Sequence, residues 1–177
     1  MTARPLPVPD EISAPYWAAA AGHVLAIARC ARCGSFALPP DQACPHCGST
    51  DPDYAFEPVS GRGTVRSWTV IRQSGLPGFA AEVPFVLVDV ELAEQPELRM
   101  IGRLLDGPAA LDGVAPGSTA LGSAALGSAA LDRVALDSTV APLRLGAPVR
   151  VGFEDVAPGV AIPAFTLTAA ARPGEEP

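Results

Sequence analysis

The sequence predicts a mainly β protein: a short N-terminal helix, a small four-cysteine unit, and a five-stranded antiparallel unit broken by a low-complexity insertion. Three observations predict it. Two Cys-x2-Cys pairs fall within residues 30–47, β-rich runs punctuated by Gly and Pro begin near Phe56, and a convincing helix start stands at Ser13. A chain of 177 residues suits one modest domain or two small ones in tandem. With 49% hydrophobic and 18% charged residues it can bury a core, which excludes global disorder. The 12 basic residues, all Arg, face 19 acidic ones for a net charge of −7 and a pI of about 4.7. Nucleic-acid binding needs a basic surface to displace counterions, so this balance argues against a nucleic-acid partner. No apolar run reaches the length of a membrane span, so no membrane partner is expected. Met1–Asp10 carries prolines and an Arg where a secretory signal would carry an apolar stretch, and a cytoplasmic protein is expected.

Residues 1–12 read as a Pro-rich extended arm. Ser13 as N-cap, Pro15 in the first turn and a run of alanines predict a helix that stops at Gly22. Tyr16 and Trp17 are adjacent and point to different faces, so at least one is exposed or lies against another surface. Both are candidate partner-interface residues. His23, at the end of this helix, has no partner evident in the sequence. The expected organisation is an arm and helix over 1–23, the cysteine unit over 24–55, a barrel over 56–172 and a tail over 173–177.

Cys30 and Cys33, then Cys44 and Cys47, are each followed by glycine, Gly34 and Gly48. Two thiolates two residues apart wrap one metal ion, and two such knuckles supply the four soft ligands of a tetrahedral site. Disulfides are disfavoured in a cytoplasmic chain, and a redox Cys-x2-Cys leaves the second, matched knuckle unexplained. Zinc is the expected ion, with iron the alternative, since four sulfurs suit both. Four protein ligands close the site to water, so its role is structural rather than hydrolytic. His46, inside the second knuckle, is expected as a solvated side chain.

Past Phe56 the pattern turns to strands: Thr64–Ile71, entered through Ser60-Gly61-Arg62-Gly63, then Phe85–Leu92, Leu98–Leu105, Ala147–Phe153 and a short Phe165–Thr168. Leu76-Pro77-Gly78-Phe79 is a loop. Five strands with little helix predict a small Greek-key barrel of the oligomer-binding (OB) type. Between the third and fourth strands, residues 107–142 lose all aromatics and repeat Ala-Leu with period five, as at Ala120-Leu121, Ala125-Leu126 and Ala130-Leu131. A Leu every five residues forms no helical stripe, so the segment reads as a surface insertion produced by replication slippage.

Taken in order, the motifs carry a resemblance. They are Tyr16-Trp17 on a helix, Arg29-Cys30-Ala31-Arg32-Cys33-Gly34, Leu38-Pro39-Pro40, Cys44-Pro45-His46-Cys47-Gly48, Ser60-Gly61-Arg62-Gly63-Thr64-Val65, Ser67-Trp68-Thr69-Val70, Pro77-Gly78-Phe79 and Pro84-Phe85-Val86. This order resembles the DUF35 family over about residues 14–106 and 143–168. Asp41 stands where that family has an Arg after the double Pro, and the repeat is not a family feature. The resemblance implies a rubredoxin-like zinc ribbon followed by an OB barrel. It implies a non-catalytic accessory subunit of a thiolase-superfamily enzyme, a thiolase or thiolase-like aldolase, that helps hold acyl-CoA in steroid side-chain, lipid or aromatic acyl-CoA metabolism. A hetero-oligomer with a thiolase-fold protein follows, and pairing with a MaoC-type hydratase is the related alternative.

The residues themselves offer no nucleophile with a paired base, no G-x-S-x-G and no phosphate-cradling P-loop. They do offer an acid-free window from Pro58 to Ala81 holding Arg62, Arg66 and Arg72, and guanidinium binds phosphate in bidentate fashion. With the resemblance, these arginines and Phe79 are the expected coenzyme A contacts, and Leu76 and Phe79 join Tyr16 and Trp17 as interface candidates. Two other readings stay open. Single-stranded nucleic acid could stack on Trp68, Phe79 and Phe85, against the acidic pI. A free-standing acyl-CoA enzyme would use Asp89 or Glu91 as its base.

Overall fold

The computed structural model describes residues 4–111 and 142–168. It is mainly β, as the sequence predicts. Helix α1 (Ala14–Ala21) is followed by β1 (Ala26–Cys30), β2 (Phe36–Ala37) and β3 (Tyr54–Pro58), which form a three-stranded antiparallel sheet in the order β2-β1-β3. Then come β4 (Arg62–Ile71), β5 (Phe85–Leu92), β6 (Arg99–Arg103), a 3₁₀ turn (Gly107–Leu111), β7 (Pro148–Ala157) and β8 (Val160–Leu167). The second sheet has the order β6-β5-β4-β7-β8. A parallel bridge from Leu104 to Phe165 brings its two edges together, closing the five strands into an OB barrel. Among the described residues no helix is long and apolar enough to cross a membrane.

α1 begins as expected but is capped differently. The Ser13 hydroxyl makes no bond into the helix; it donates to the Asp10 carboxylate, 2.6 Å away, which also accepts the Ser13 amide at 2.7 Å. At the far end Gly22 keeps a negative φ, and His23 takes the left-handed conformation at φ 57°. The His23 amide reaches the Ala20 carbonyl at 2.8 Å and the Val24 amide the Ala19 carbonyl at 3.0 Å, a Schellman closure. His23 does have a partner: its ring stacks on Phe153 at 5.1 Å, and Nε2 lies 2.8 Å from the Asp155 carboxylate, tying the helix end to β7.

The barrel core follows from alternation. Val86, Val88, Val90 and Leu92 of β5 point inward with Val65, Met100, Val149, Phe165 and Leu167, and all are buried. Leu25 and Ile27, flanking the start of β1, belong to the same cluster, so the two sheets share one core. β4 alternates only as far as Val65, because a bulge between Val65 and Ser67 leaves Arg66 as the extra residue. β6 crosses Phe165 closely enough that a Cβ on Gly102 would lie 2.9 Å from the ring, so glycine is required there. The last two strands run longer than the sequence suggests. Glu154 and Asp155 interrupt the apolar pattern of β7, and Pro163 disguises β8, yet Glu154 pairs with Ile162 and Phe153 with Pro163 in one hairpin.

The arm is anchored rather than free. Arg4 pairs with Glu82, and Arg103 bridges Glu82 and Glu154, while the Arg4 guanidinium lies 4.7 Å above the Phe79 ring. This cluster fastens the β4–β5 loop to the barrel wall.

The 3₁₀ turn revises one boundary. The sequence predicts the insertion from Gly107, but Gly107–Leu111 packs on the barrel with Ala110 buried, and the Leu143 amide donates to the Ala110 carbonyl at 2.9 Å. The remainder, 112–141, lies outside the described residues. Its two ends are held together by that bond, and loop-closure free energy grows only logarithmically with length. Replacing 112–141 with a short Gly-Ser linker is therefore expected to change stability by about 1 kcal/mol or less, read from urea unfolding.

Candidate metal centre and its surroundings

The two cysteine knuckles are built alike. In the first, the Cys30 amide donates to the Ser35 carbonyl and the Gly34 amide to the Cys30 carbonyl; in the second, Cys44, Ser49 and Gly48 repeat both bonds at 2.8–2.9 Å. Each needs a left-handed residue after its second cysteine, supplied by Gly34 at φ 75° and Gly48 at φ 72°. The first knuckle closes the β1–β2 turn and the second hangs between β2 and β3. Arg32 fastens the first to the chain leading into β3, its Nε donating to the Asp51 carbonyl at 2.9 Å.

The four sulfurs of Cys30, Cys33, Cys44 and Cys47 all lie within 4.8 Å of one another, with Cys33 and Cys44 3.7 Å apart. A tetrahedral ion with bonds of about 2.3 Å sets its sulfurs roughly 3.8 Å apart, so the set fits one such ion. Electrostatics agrees. The Ser35 hydroxyl and amide hold the Cys33 thiol down to about 6, and the Cys47 amide lowers Cys44. Against the Ser49 amide, which favours the thiolate, partial desolvation and the neighbouring sulfurs push Cys47 up to about 11. Crowded thiolates cannot all ionise without a cation among them, and a divalent ion resolves the conflict. Cys30 and Cys44 are buried, Cys33 and Cys47 exposed.

Tyr54 closes the buried side. It is the Cα partner of Cys30 across β1 and β3, and its hydroxyl is sealed from solvent with no hydrogen-bond partner among the described residues. Burial first, then the Cys44 charge, hold this phenol protonated above its ordinary range.

The joint between ribbon and barrel is not legible in the sequence. Gln95, in the β5–β6 turn, presents its side-chain amide to Phe36 of β2 as a strand would. Its Oε1 accepts the Phe36 amide at 2.8 Å and its Nε2 donates to the Phe36 carbonyl at 3.1 Å. His46 is engaged here too, with Nε2 3.1 Å from the Phe36 carbonyl and 3.2 Å from Gln95 Nε2. Gln95→Ala leaves both backbone groups of Phe36 without these partners. The expected cost is about 1–2 kcal/mol, seen as faster exchange of the Phe36 amide with metal content unchanged.

The other candidate residues are dispersed. Arg62 opens β4 and Arg72 follows its last residue, ten residues on, or roughly 30 Å at about 3.3 Å per residue. Arg66 between them is engaged by Glu91 at 2.6 Å and Glu97 at 3.0 Å. Phe79 is half-buried between Arg4 and Phe85, while Leu76 in the same loop is 60% exposed. The two carboxylates considered as bases are occupied: the buried Asp89 receives Arg99 and, at 3.4 Å, the Ser67 hydroxyl, and Glu91 receives Arg66. Tyr16 and Trp17 meet edge to face at 5.0 Å, and burial pushes the Tyr16 phenol up to about 12. Both line an apolar groove of about 470 Å³ where helix, ribbon and barrel meet, with Leu38, Phe56, Met100 and Ile101 on its other sides.

Comparison with known proteins places this architecture. Residues 17–53 match the rubredoxin-like zinc ribbon domain of ChsH2, and residues 56–154 match the C-terminal OB-fold domain of ChsH2. Over 91 residues the chain is 40% identical to a protein of Thermomonospora curvata named "Probable enoyl-CoA hydratase alpha subunit". That stretch is 51% of this chain and 27% of the relative, so the chain spans about a quarter of that protein's length. A solved structure named "Ltp2-ChsH2(DUF35) aldolase" matches 91% of this chain and 98% of its own, with a TM-score of 0.61 and 27% identity. Ribbon, barrel and the order in which they are joined show that the chain belongs to the ChsH2 family of DUF35-type zinc-ribbon and OB-fold proteins.

Proposed function

We propose that this chain is an accessory subunit without its own catalytic centre, assembling in the cytoplasm with a thiolase-fold enzyme that acts on acyl-CoA. The observation that carries this is the apolar groove at the junction of helix, ribbon and barrel, whose wall residue Ile101 is 69% exposed. A large exposed apolar side chain beside a groove lined with aromatics is what a protein partner covers. Two further facts support the reading. Asp89 and Glu91 are held in ion pairs, which leaves neither poised as a base. The likeness to the aldolase structure extends over nearly the whole of that chain. The ribbon ion is zinc in this proposal, since four thiolates in a closed site suit it.

Coenzyme A, in this reading, meets the chain beside the β4–β5 loop. Arg72 is exposed just past β4, at the start of the loop that holds Leu76 and Phe79, with no carboxylate partner among the described residues, and its guanidinium would meet a phosphate there. Arg62, also unpaired among the described residues, is too distant to share that phosphate, and Arg66 is already neutralised. A hydratase partner is the second reading, favoured by the name of the Thermomonospora relative.

The test is co-expression with a thiolase-fold aldolase and, separately, with a MaoC-type hydratase, followed by size-exclusion chromatography and activity assays. A stable complex with the aldolase and no turnover of acyl-CoA by the isolated chain are expected. Trp17→Ala is expected to weaken assembly by about 2 kcal/mol as a central anchor. Complex formation with the hydratase alone promotes the second reading, and turnover by the isolated chain overturns both.

A further inference from the structure

We infer that the turn from Phe79 to Glu82 is a seat for the adenine ring of coenzyme A and that Arg4 is its removable cover, so that arm and coenzyme compete for it. The inference rests on the coenzyme reading proposed above and adds its regulation. The seat is a single turn: the Glu82 amide donates to the Phe79 carbonyl at 3.0 Å, which ties an aromatic ring and a carboxylate together. Arg4 fills it. Its guanidinium lies 4.7 Å above the Phe79 ring, and its Nε donates to Glu82 Oε1 at 2.6 Å. The backbone of the arm comes close as well, since a Cβ on Gly78 would lie 2.7 Å from the Arg4 nitrogen.

The chemistry of the seat selects the occupant. A guanidinium is a flat π system edged with N–H donors, so it stacks on an aromatic ring and bonds a carboxylate at once. Adenine offers the same two features, a flat face for Phe79 and an exocyclic amino group for Glu82. A phosphate does not suit the seat, because without Arg4 it holds Glu82 and Glu154 against Arg103 alone. Phosphate falls instead to Arg72, at the start of the same loop. Of the two groups against Phe79, only Arg4 is free to leave. Phe85, 5.8 Å away, is a buried residue of β5, whereas residues 4–10 form neither helix nor strand. With Arg4 gone, Arg103 still donates to Glu82 Oε2 at 2.5 Å and lies 5.2 Å above the Phe85 ring. The seat is thus kept in place while Oε1 becomes open to a new donor.

The experiment titrates coenzyme A, and separately phosphopantetheine, which lacks the nucleotide, into the full chain as wild type, Arg4→Ala and the double variant Arg4→Ala/Phe79→Leu. The contacts that hold Arg4 are modest for groups that keep some exposure, so the cover opens readily. A cover closed in about four-fifths of the molecules lowers the apparent affinity about fivefold. Arg4→Ala is therefore expected to bind coenzyme A about fivefold more tightly than wild type by isothermal titration calorimetry, with phosphopantetheine unaffected. The double variant is expected to lose the gain, because the ring on which the base stacks is missing. Coenzyme A affinity that is equal in wild type and Arg4→Ala, or weaker in Arg4→Ala, overturns the inference and leaves the coenzyme reading standing. A gain shared by phosphopantetheine also overturns it, since the effect then lies away from the base. If coenzyme A binds neither wild type nor Arg4→Ala, the coenzyme reading fails and the inference with it.

Discussion

Cys44→Ser is expected to unfold the ribbon while the barrel strands remain. Serine does not ionise near neutral pH, so the substitution removes one of four ligands and leaves the other three thiols crowded without a well-held cation. Structural zinc contributes about 10–16 kcal/mol to domains of this kind, and the ribbon has little else: β2 is two residues long and the described sheet has three strands. Metal content should fall well below one ion per chain, and amide protection should vanish over residues 26–58. Far-UV circular dichroism should keep most of its strand signal, since Val86, Val88, Val90 and Phe165 still form a barrel core. The barrel should nonetheless melt at a lower temperature, because Leu25 and Ile27 carry one edge of that same core. A Cys44→Ser variant with full metal occupancy would refute the four-ligand assignment.

Phe165→Ala is expected to cost about 3–5 kcal/mol, the largest effect of any single truncation in the barrel. Phe165 is fully buried, abuts Gly102 of β6 and lies in the bridge to Leu104 that closes the sheet. Its carbonyl also accepts the Leu105 amide at 2.8 Å. Truncation opens a cavity at the seam where β6 meets β8, so closure and packing are lost together. Chemical denaturation gives the number directly, and a loss below about 1 kcal/mol would mean that the seam is held from elsewhere.

The elements read correctly from the sequence are those whose signal is local. The cysteine pairs with their glycines declare the ribbon, because ligand spacing and the left-handed turn are set within four residues. β5 declares itself through Val86, Val88 and Val90, a period of two. What the sequence hides is set by partners distant along the chain. Gln95 looks like an ordinary turn residue until β2 lies beside it, 59 residues away in sequence. Arg66 looks like a free cation until a bulge turns it toward Glu91 and Glu97. Tyr54 sits near the expected boundary at residue 56, and only its pairing with Cys30 sets it in the ribbon sheet, opposite the first knuckle. The coenzyme A candidates share an acid-free window but not a location, since a strand carries successive arginines apart as fast as it runs.

The Arg4 cluster has a consequence best expressed as an effective concentration. Arg4 is tethered to α1 by the nine residues before Ala14, so its pairing with Glu82 and its seat over Phe79 behave as binding by a ligand that cannot diffuse away. Short flexible tethers give local concentrations in the millimolar range. A free guanidinium compound competing for that seat must approach the same concentration before it occupies half the molecules. A cut between Arg4 and the helix would remove that local concentration and leave the loop held by Arg103 on Glu82 and by Phe79 on Phe85.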